Sequence, residues 1–332
     1  MLRGVPALEL PRISLGLWHG FGDEGDAGAQ RAILRRAVEL GITHLDVANR
    51  YGMPPGSVEV NLGRHLRGDL AAHRDALTIA TKAGRPMPDG PYGGAGDGAS
   101  RAHLHASLDA SLQRLRLDHV DLFYVHRFDP EVDPAETCAA LAEIVRAGKA
   151  RHVGVSTYSP GRTAEAAALL RGEGVELDVS QVSYSLLNRW IEQELLATLA
   201  DEDIRCVAFA PLAQGLLTEK YLHGVPVGSR ARTPATSALP PGHLDPATLE
   251  RVRALAGIAR ERGQSLAQMA VSWVLRDPRV TTALVGASRP EQLDDLAGAT
   301  GRTAFAADEL AAIDRHAVDA GVNLWAPPTE DA

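Results

Sequence analysis

Cysteine is scarce: Cys138 and Cys206 are the only two in 332 residues. One falls in a helical pattern and the other in a strand-like run. Two thiols are too few for a disulfide or zinc framework, and they suit a reducing cytoplasm. A surplus of positive charge is missing as well. Lys and Arg number 34 against 42 Asp and Glu, a net charge of −8, which makes nucleic acid and anionic membrane surfaces poor partners. No run approaches the ~18–20 apolar residues that cross a bilayer, and Met1 to Pro11 has no apolar stretch of signal-peptide length. The expectation is a soluble, cytoplasmic protein. His65, His103, His105, His223 and His243 show no ligand spacing with acids or cysteines, so no metal is expected.

What the chain does have is material for a core, with 45% hydrophobic and 23% charged residues. Short apolar runs alternate with helical patterns from end to end. The predicted strands are Ile13–Trp18, Thr43–Ala48, Thr78–Lys82, Asp121–His126, His152–Ser156, Asp178–Tyr184, Arg205–Pro211 and Thr282–Gly286. Each is rich in Val, Ile, Leu or Phe, as strands buried on both faces are. Between them a helix over Ala29–Leu40 stops at Gly41. Ser100 is placed to cap the run carrying Leu104, Leu108, Leu112 and Leu115, and Ser159-Pro160 opens another helix. Eight strand–helix alternations specify an α/β fold, a single (β/α)8 TIM barrel domain over residues 1–332. Two stretches break the rhythm. Pro86–Gly98 reads as a rim loop, and Ala213 to Pro246 is a long loop between the last two strands, of the kind that covers a ligand.

Gly20-x-Gly22-x-x-Gly25, with Asp46 following at the end of the next strand, has the spacing of a dinucleotide fingerprint. Its charge argues otherwise. Asp23, Glu24 and Asp26 would repel a pyrophosphate, and the predicted helix starts several residues too late to offer its amides. A glycine-rich turn is the reading. The chemistry lies elsewhere: Asp46, Lys82 and His126 end three successive strands, and Tyr51 stands five residues beyond Asp46. Neighbouring parallel strands run about 4.8 Å apart, so these side chains share the rim where barrel enzymes work. Carbonyl reduction needs a hydride at carbon and a proton at oxygen. A tyrosine with a pKa of about 10 is a reluctant acid; an adjacent ammonium would lower that value, and a carboxylate would hold the ammonium. His126 would orient the carbonyl oxygen or relay the proton.

Leu45-Asp46-Val47-Ala48-Asn49-Arg50-Tyr51-Gly52, Ala80-Thr81-Lys82 and Asp121-Leu122-Phe123-Tyr124-Val125-His126 resemble the catalytic motifs of the aldo-keto reductases, and the resemblance covers essentially the whole chain. It implies that Asp46, Tyr51, Lys82 and His126 are catalytic and that NADPH lies across the barrel mouth. The implied contacts are Trp18, Asp46, Ser156, Gln181, the Phe209-Ala210-Pro211-Leu212 stretch with Phe209 on the nicotinamide, and Gln214, Leu217, Lys220 and Arg230 from the long loop. Gly286, Ser288, Gln292 and Asp295 complete the set at the start of a helix, where Ser288-x-x-Glu291 has the form of a capping box. Thr157 and Leu296 stand where many family members carry Asn.

Gly16-Leu17-Trp18-His19-Gly20-Phe21-Gly22, Pro91-Tyr92-Gly93-Gly94, Leu187-Asn188-Arg189-Trp190 and Asn323-Leu324-Trp325 resemble the branch of bacterial L-glyceraldehyde 3-phosphate reductases, related to potassium-channel β subunits. The branch implies a small aldehyde, phosphorylated or methylglyoxal-like, with Trp18, Tyr51, Tyr92 and His126 around it, and a homo-oligomer, tetramer or larger. Arg127 is a candidate for a substrate phosphate. Two rivals stand beside this reading. One is an NADPH-holding redox sensor with a protein partner; the other is a barrel aldolase or isomerase using Lys82 as a Schiff-base amine.

Overall fold

The predicted runs become β1 (Ile13–Gly16), β2 (His44–Asp46), β3 (Thr78–Ala83), β4 (Val120–Val125), β5 (Ala150–Ser156), β6 (Val179–Ser183), β7 (Arg205–Phe209) and β8 (Val280–Val285). Every strand pairs in parallel with the next, and β8 returns to β1, closing an eight-stranded barrel. This computed structural model describes residues 7–85, 98–222, 224–226 and 241–321. Tyr92, Arg230 and Asn323-Leu324-Trp325 lie outside the described residues, as do Pro86 to Asp97 and much of the long loop.

Helices cover the outside of the strands: α1 (Ala27–Glu39), α2 (Ser57–Arg67), α3 (Arg101–Leu115), α4 (Pro134–Arg146), α5 (Pro160–Gly172), α6 (Leu195–Asp201), α7 (Pro246–Glu261), α8 (Leu266–Val274), α9 (Pro290–Ala297) and α10 (Ala307–Asp314). Two of them, α7 and α8, fall between β7 and β8 after the long loop. Strand side chains alternate between faces, and the core divides accordingly. Ile79, Phe123, Val125, Val153, Val155, Val182, Ala208 and Val285 join the helices in one apolar cluster. Ala80, Leu122, Tyr124, Val179, Val207 and Leu284 form a second cluster, with Leu8 part of it. Gly154 stands opposite Tyr124 in register, and a Cβ there would lie 2.6 Å from the tyrosine ring. The ring occupies the lumen because the facing residue has no side chain.

The helix signals act locally as expected at Ser100 and Ser159, whose hydroxyls accept from the amides of His103 and Arg162. Gly41 takes φ +74° past the end of α1. Two expectations need correction. α1 begins at Ala27, two residues after Gly25, because Asp26 caps it through the Ala29 amide. Its open N-terminus is thus taken by a carboxylate, and Gly20 and Gly22 give their carbonyls to Gln30. The capping box at Ser288 does not form. Arg289 is the residue before α9, no side chain caps that helix, and Gln292 Oε1 instead accepts from the Ser288 amide at 2.8 Å. Pro290 at the first helical position starts the helix without help from Ser288.

Candidate active site

Asp46 pairs with Ala80 across β2 and β3, and Lys82 lies two residues beyond Ala80. A separation of two keeps both side chains on one face, one step apart along the barrel. There they form a buried ion pair, with the lysine side chain 0% and the aspartate 2% exposed. Lys82 Nζ also donates to the Val47 carbonyl at 2.8 Å, and Gln181 Nε2 donates to Asp46 Oδ2 at 2.9 Å. Gln181 comes from β6, across the barrel from β2, so this bond spans the lumen. Two fixed acceptors and a crossing amide hold the ammonium in one position.

Tyr51 and His126 follow the ends of β2 and β4 and are half-buried. The Lys82 ammonium is 5.3 Å from the Tyr51 ring centroid. The Tyr51 and His126 rings meet edge-on at 6.0 Å, and Trp18 lies 6.1 Å from Tyr51 on its other side. Burial raises the Tyr51 phenol above its ordinary pKa; the charge of Lys82 and a hydrogen bond from it pull the other way without prevailing. The expected lowering by Lys82 is therefore present but outweighed, and the phenol keeps its proton at neutral pH. Burial also pushes Lys82 down, but Asp46 and Tyr51 more than compensate, so the amine is charged. A protonated, ion-paired lysine is no nucleophile, which removes the observation a Schiff-base reading needs. His126 is held well below its usual value by burial, then by Lys82, Arg85, Arg50 and Arg127. Its imidazole is neutral, and its Nδ1 has no hydrogen-bond partner among the described residues.

The β5–β8 side has a different character. Ser156 and Gln181 are buried at neighbouring strand ends, in register with each other, and Ser156 Oγ is 3.3 Å from Thr157 Oγ1. Phe209 ends β7 half-buried. Four non-glycine residues here adopt left-handed backbone: Thr157 at φ +61°, Ala210 at +54°, Ala213 at +46° and Gln214 at +59°. Conformations costing roughly 1–3 kcal/mol each gather where a ligand demands a particular loop shape. Leu217 is buried, while Leu212 and Pro211 line the start of the long loop. Lys220 is exposed with its ammonium 5.4 Å from the Tyr221 ring centroid. Gly286 and Ser288 are exposed, Gln292 is half-buried against Ser288, and Asp295 Oδ2 accepts from Ser265 at 2.8 Å.

Four residues near this mouth carried no role, or only a weak one, in the sequence. Asn49 is 1% exposed, yet neither its amide nitrogen nor its oxygen has a partner among the described residues. Arg50 and Arg85 stand half-buried beside the candidate site, with Arg127. Applying the strand-end rule to the residues just past each strand would have flagged all three arginines. Among the described residues no group of three or more His, Cys, Asp or Glu could hold a metal, and no helix is long and apolar enough to cross a membrane.

The sequence model of the Aldo/keto reductase family matches residues 12–318. The chain is 52% identical to L-glyceraldehyde 3-phosphate reductase of Escherichia coli K12, over 97% of this chain and 93% of that one. It is 33% identical to a putative voltage-gated potassium channel subunit beta of Schizosaccharomyces pombe, over 87% and 84%. A solved thermostable aldo-keto reductase, Tm1743, superposes with a TM-score of 0.71 at 27% identity, covering 92% of this chain and 95% of that one. Barrel, rim constellation and these similarities lead to one conclusion: the chain belongs to the aldo-keto reductase family of oxidoreductases.

Proposed function

We propose that the protein reduces small aldehydes to primary alcohols with NADPH, glyceraldehyde 3-phosphate or a methylglyoxal-like carbonyl being the substrate class. The observation that carries the reading is the placement of Tyr51 and His126, their rings edge-on at 6.0 Å, beside a buried Lys82–Asp46 pair. The residues present suit a nicotinamide. Ser156 and Gln181 offer polar groups for a carboxamide, and Phe209 offers a ring face. The first turn of α9 carries no side-chain cap and suits a phosphate. Lys220 and Arg230 would add positive charge from the long loop. When bound, NADPH supplies the hydride that the carbonyl carbon gains.

The protein's own part is proton delivery. Tyr51 gives its phenolic proton to the carbonyl oxygen as charge builds there, and the aldehyde becomes an alcohol. Lys82 then faces the tyrosinate and stabilises it, while Asp46 and Gln181 keep the ammonium from swinging away. His126, being neutral, donates one N–H to the carbonyl oxygen without adding a third charge to a crowded site. Trp18 walls the pocket beside Tyr51. Action in the cytoplasm as a homo-oligomer of four or more chains belongs to the same reading, and light scattering on a sizing column tests the assembly.

The test is to mix purified protein with NADPH and short aldehydes, including glyceraldehyde 3-phosphate and methylglyoxal, and follow the reduced nicotinamide band. Aldehyde-dependent oxidation supports the reading, and the rates rank the substrates. The 33% identity to a channel beta subunit favours one alternative, a redox sensor that holds NADPH for a protein partner. Tight NADPH binding without oxidation would select it.

A further inference from the structure

We infer that Arg50, Arg85 and Arg127 form one anion-recognition site that takes the phosphate monoester of the aldehyde substrate and sets the enzyme's specificity. The inference rests on the proposed reductase reading and goes beyond it by assigning the phosphate to named residues. Each arginine lies in a segment leaving one of three consecutive strands, β2, β3 and β4. Arg50 immediately precedes Tyr51, Arg85 follows Lys82 by three residues, and Arg127 immediately follows His126. All three are half-buried rather than spread into solvent.

Guanidiniums in such surroundings normally carry acceptors. Elsewhere in this protein Arg12 donates to the Val280 and Leu275 carbonyls, and Arg114, Arg262 and Arg276 pair with Glu59, Glu309 and Glu192. Among the described residues no ion pair involves Arg50, Arg85 or Arg127, although the chain has more acids than bases. Arg127 Nε is buried without a hydrogen-bond partner. The three also feel one another. Burial first, then Arg127 and Arg50, bring Arg85 down to about 10, and burial with Arg50 lowers Arg127. Like charges kept together half-buried, with no carboxylate paired to them among the described residues, have a cost that a bound anion removes.

Location chooses which anion. The segments suited to the cofactor follow β5 to β8, on the other side of the closed barrel. The arginines flank the two side chains proposed to hold the carbonyl oxygen, which suits a charged group a few bonds from the aldehyde. Three guanidiniums suit a doubly charged phosphate with several oxygens better than a single carboxylate, and their planar forks bind it bidentately. A neutral aldehyde such as methylglyoxal reaches Tyr51 but leaves this charge uncompensated.

The test separates this site from the reductase reading. Glycerol 3-phosphate and glycerol, neither of which can be reduced, are titrated calorimetrically into protein saturated with NADPH, where neither alcohol reacts. Glycerol 3-phosphate should bind and glycerol should not. Arg127→Gln and Arg85→Gln should each weaken that binding roughly tenfold to a hundredfold, the worth of one charge-assisted hydrogen bond, and Arg127→Lys should recover part of it. In turnover, the ratio of kcat/KM for glyceraldehyde 3-phosphate over glyceraldehyde should fall by a similar factor, mainly through KM. Equal kcat/KM for the two aldehydes in the wild type would overturn the site while leaving the reductase standing. Parallel losses on both aldehydes would overturn it too, since a structural role predicts them. Binding of glycerol 3-phosphate that disappears in Arg127→Gln, with no turnover of any aldehyde, would sink the reductase reading and keep the anion site.

Discussion

The two ends of the barrel treat charge in opposite ways. At the N-terminal end Asp121, near the start of β4, accepts from the Ile79 amide and pairs with both Arg74 and Arg151. Deeper there, the His44 imidazole is bonded to Ser14, and Ser14 to Thr282, across β1, β2 and β8. At the C-terminal mouth three guanidiniums have no carboxylate among the described residues, and the buried amide of Asn49 is unpartnered. At the N-terminal end a carboxylate balances the arginines, although His44 Nε2 and one Arg74 nitrogen have no partner among the described residues. The mouth leaves its arginines without such a carboxylate, as suits a site that takes an anionic ligand.

That contrast sets the expected outcomes. Tyr51→Phe removes one oxygen at the mouth and should lower kcat by about 10²–10⁴-fold while leaving NADPH binding largely intact. Steady-state rates and cofactor fluorescence check both halves, and full turnover would take the acid role from Tyr51. Lys82→Met leaves Asp46 buried without its partner and should cost about 3–5 kcal/mol of unfolding free energy as well as activity. By comparison, Arg151→Ala at the other end, where the arginine side chain is 44% exposed, should cost no more than about 1 kcal/mol and leave turnover intact. Urea unfolding of the two variants measures the difference; equal losses would erase the distinction between the ends.

A pH titration of stability, set against a His44 variant, probes one group of the closed end. Burial, acting before the smaller influences of Asp46, Lys82 and Asp121, pushes His44 down to about 4. The unfolded chain takes up this proton near pH 6.5, whereas the folded protein refuses it until about pH 4. Stability from this group is therefore complete above pH 6.5 and declines as pH falls toward 4, by on the order of 3 kcal/mol. Urea midpoints across that range should fall more steeply in the wild type than in His44→Gln. Identical slopes would show that His44 is not the group responsible. A further prediction concerns the long loop. If Arg230 meets the 2′-phosphate, as the family resemblance implies, Arg230→Ala should weaken NADPH by roughly tenfold or more while sparing NADH. Equal weakening of both nucleotides would deny its contact with the 2′-phosphate.

Much of this was legible in advance because it depends on short-range pattern. Eight apolar runs, separated by helices with Ser, Asp and Pro at their starts, permit little besides a parallel barrel. Strand ends then bring Asp46, Lys82 and His126 to one rim whatever the details of packing. The helix-start errors had a local cause: several polar residues competed for the cap, and Asp26 and Arg289 took positions that the pattern alone could not rank.

Composition and periodicity thus settled the fold class, the strand order and the shared rim of the four candidate side chains, because these follow from hydrophobic period and from the regular geometry of parallel strands. Folding settled the rest, because burial and partner count are properties of distant residues brought together. Gln181 reaches Asp46 over 135 positions of chain. Burial, not Lys82, sets the direction of the Tyr51 phenol. The convergence of Arg50, Arg85 and Arg127 without a carboxylate among the described residues exists only once β2, β3 and β4 lie side by side.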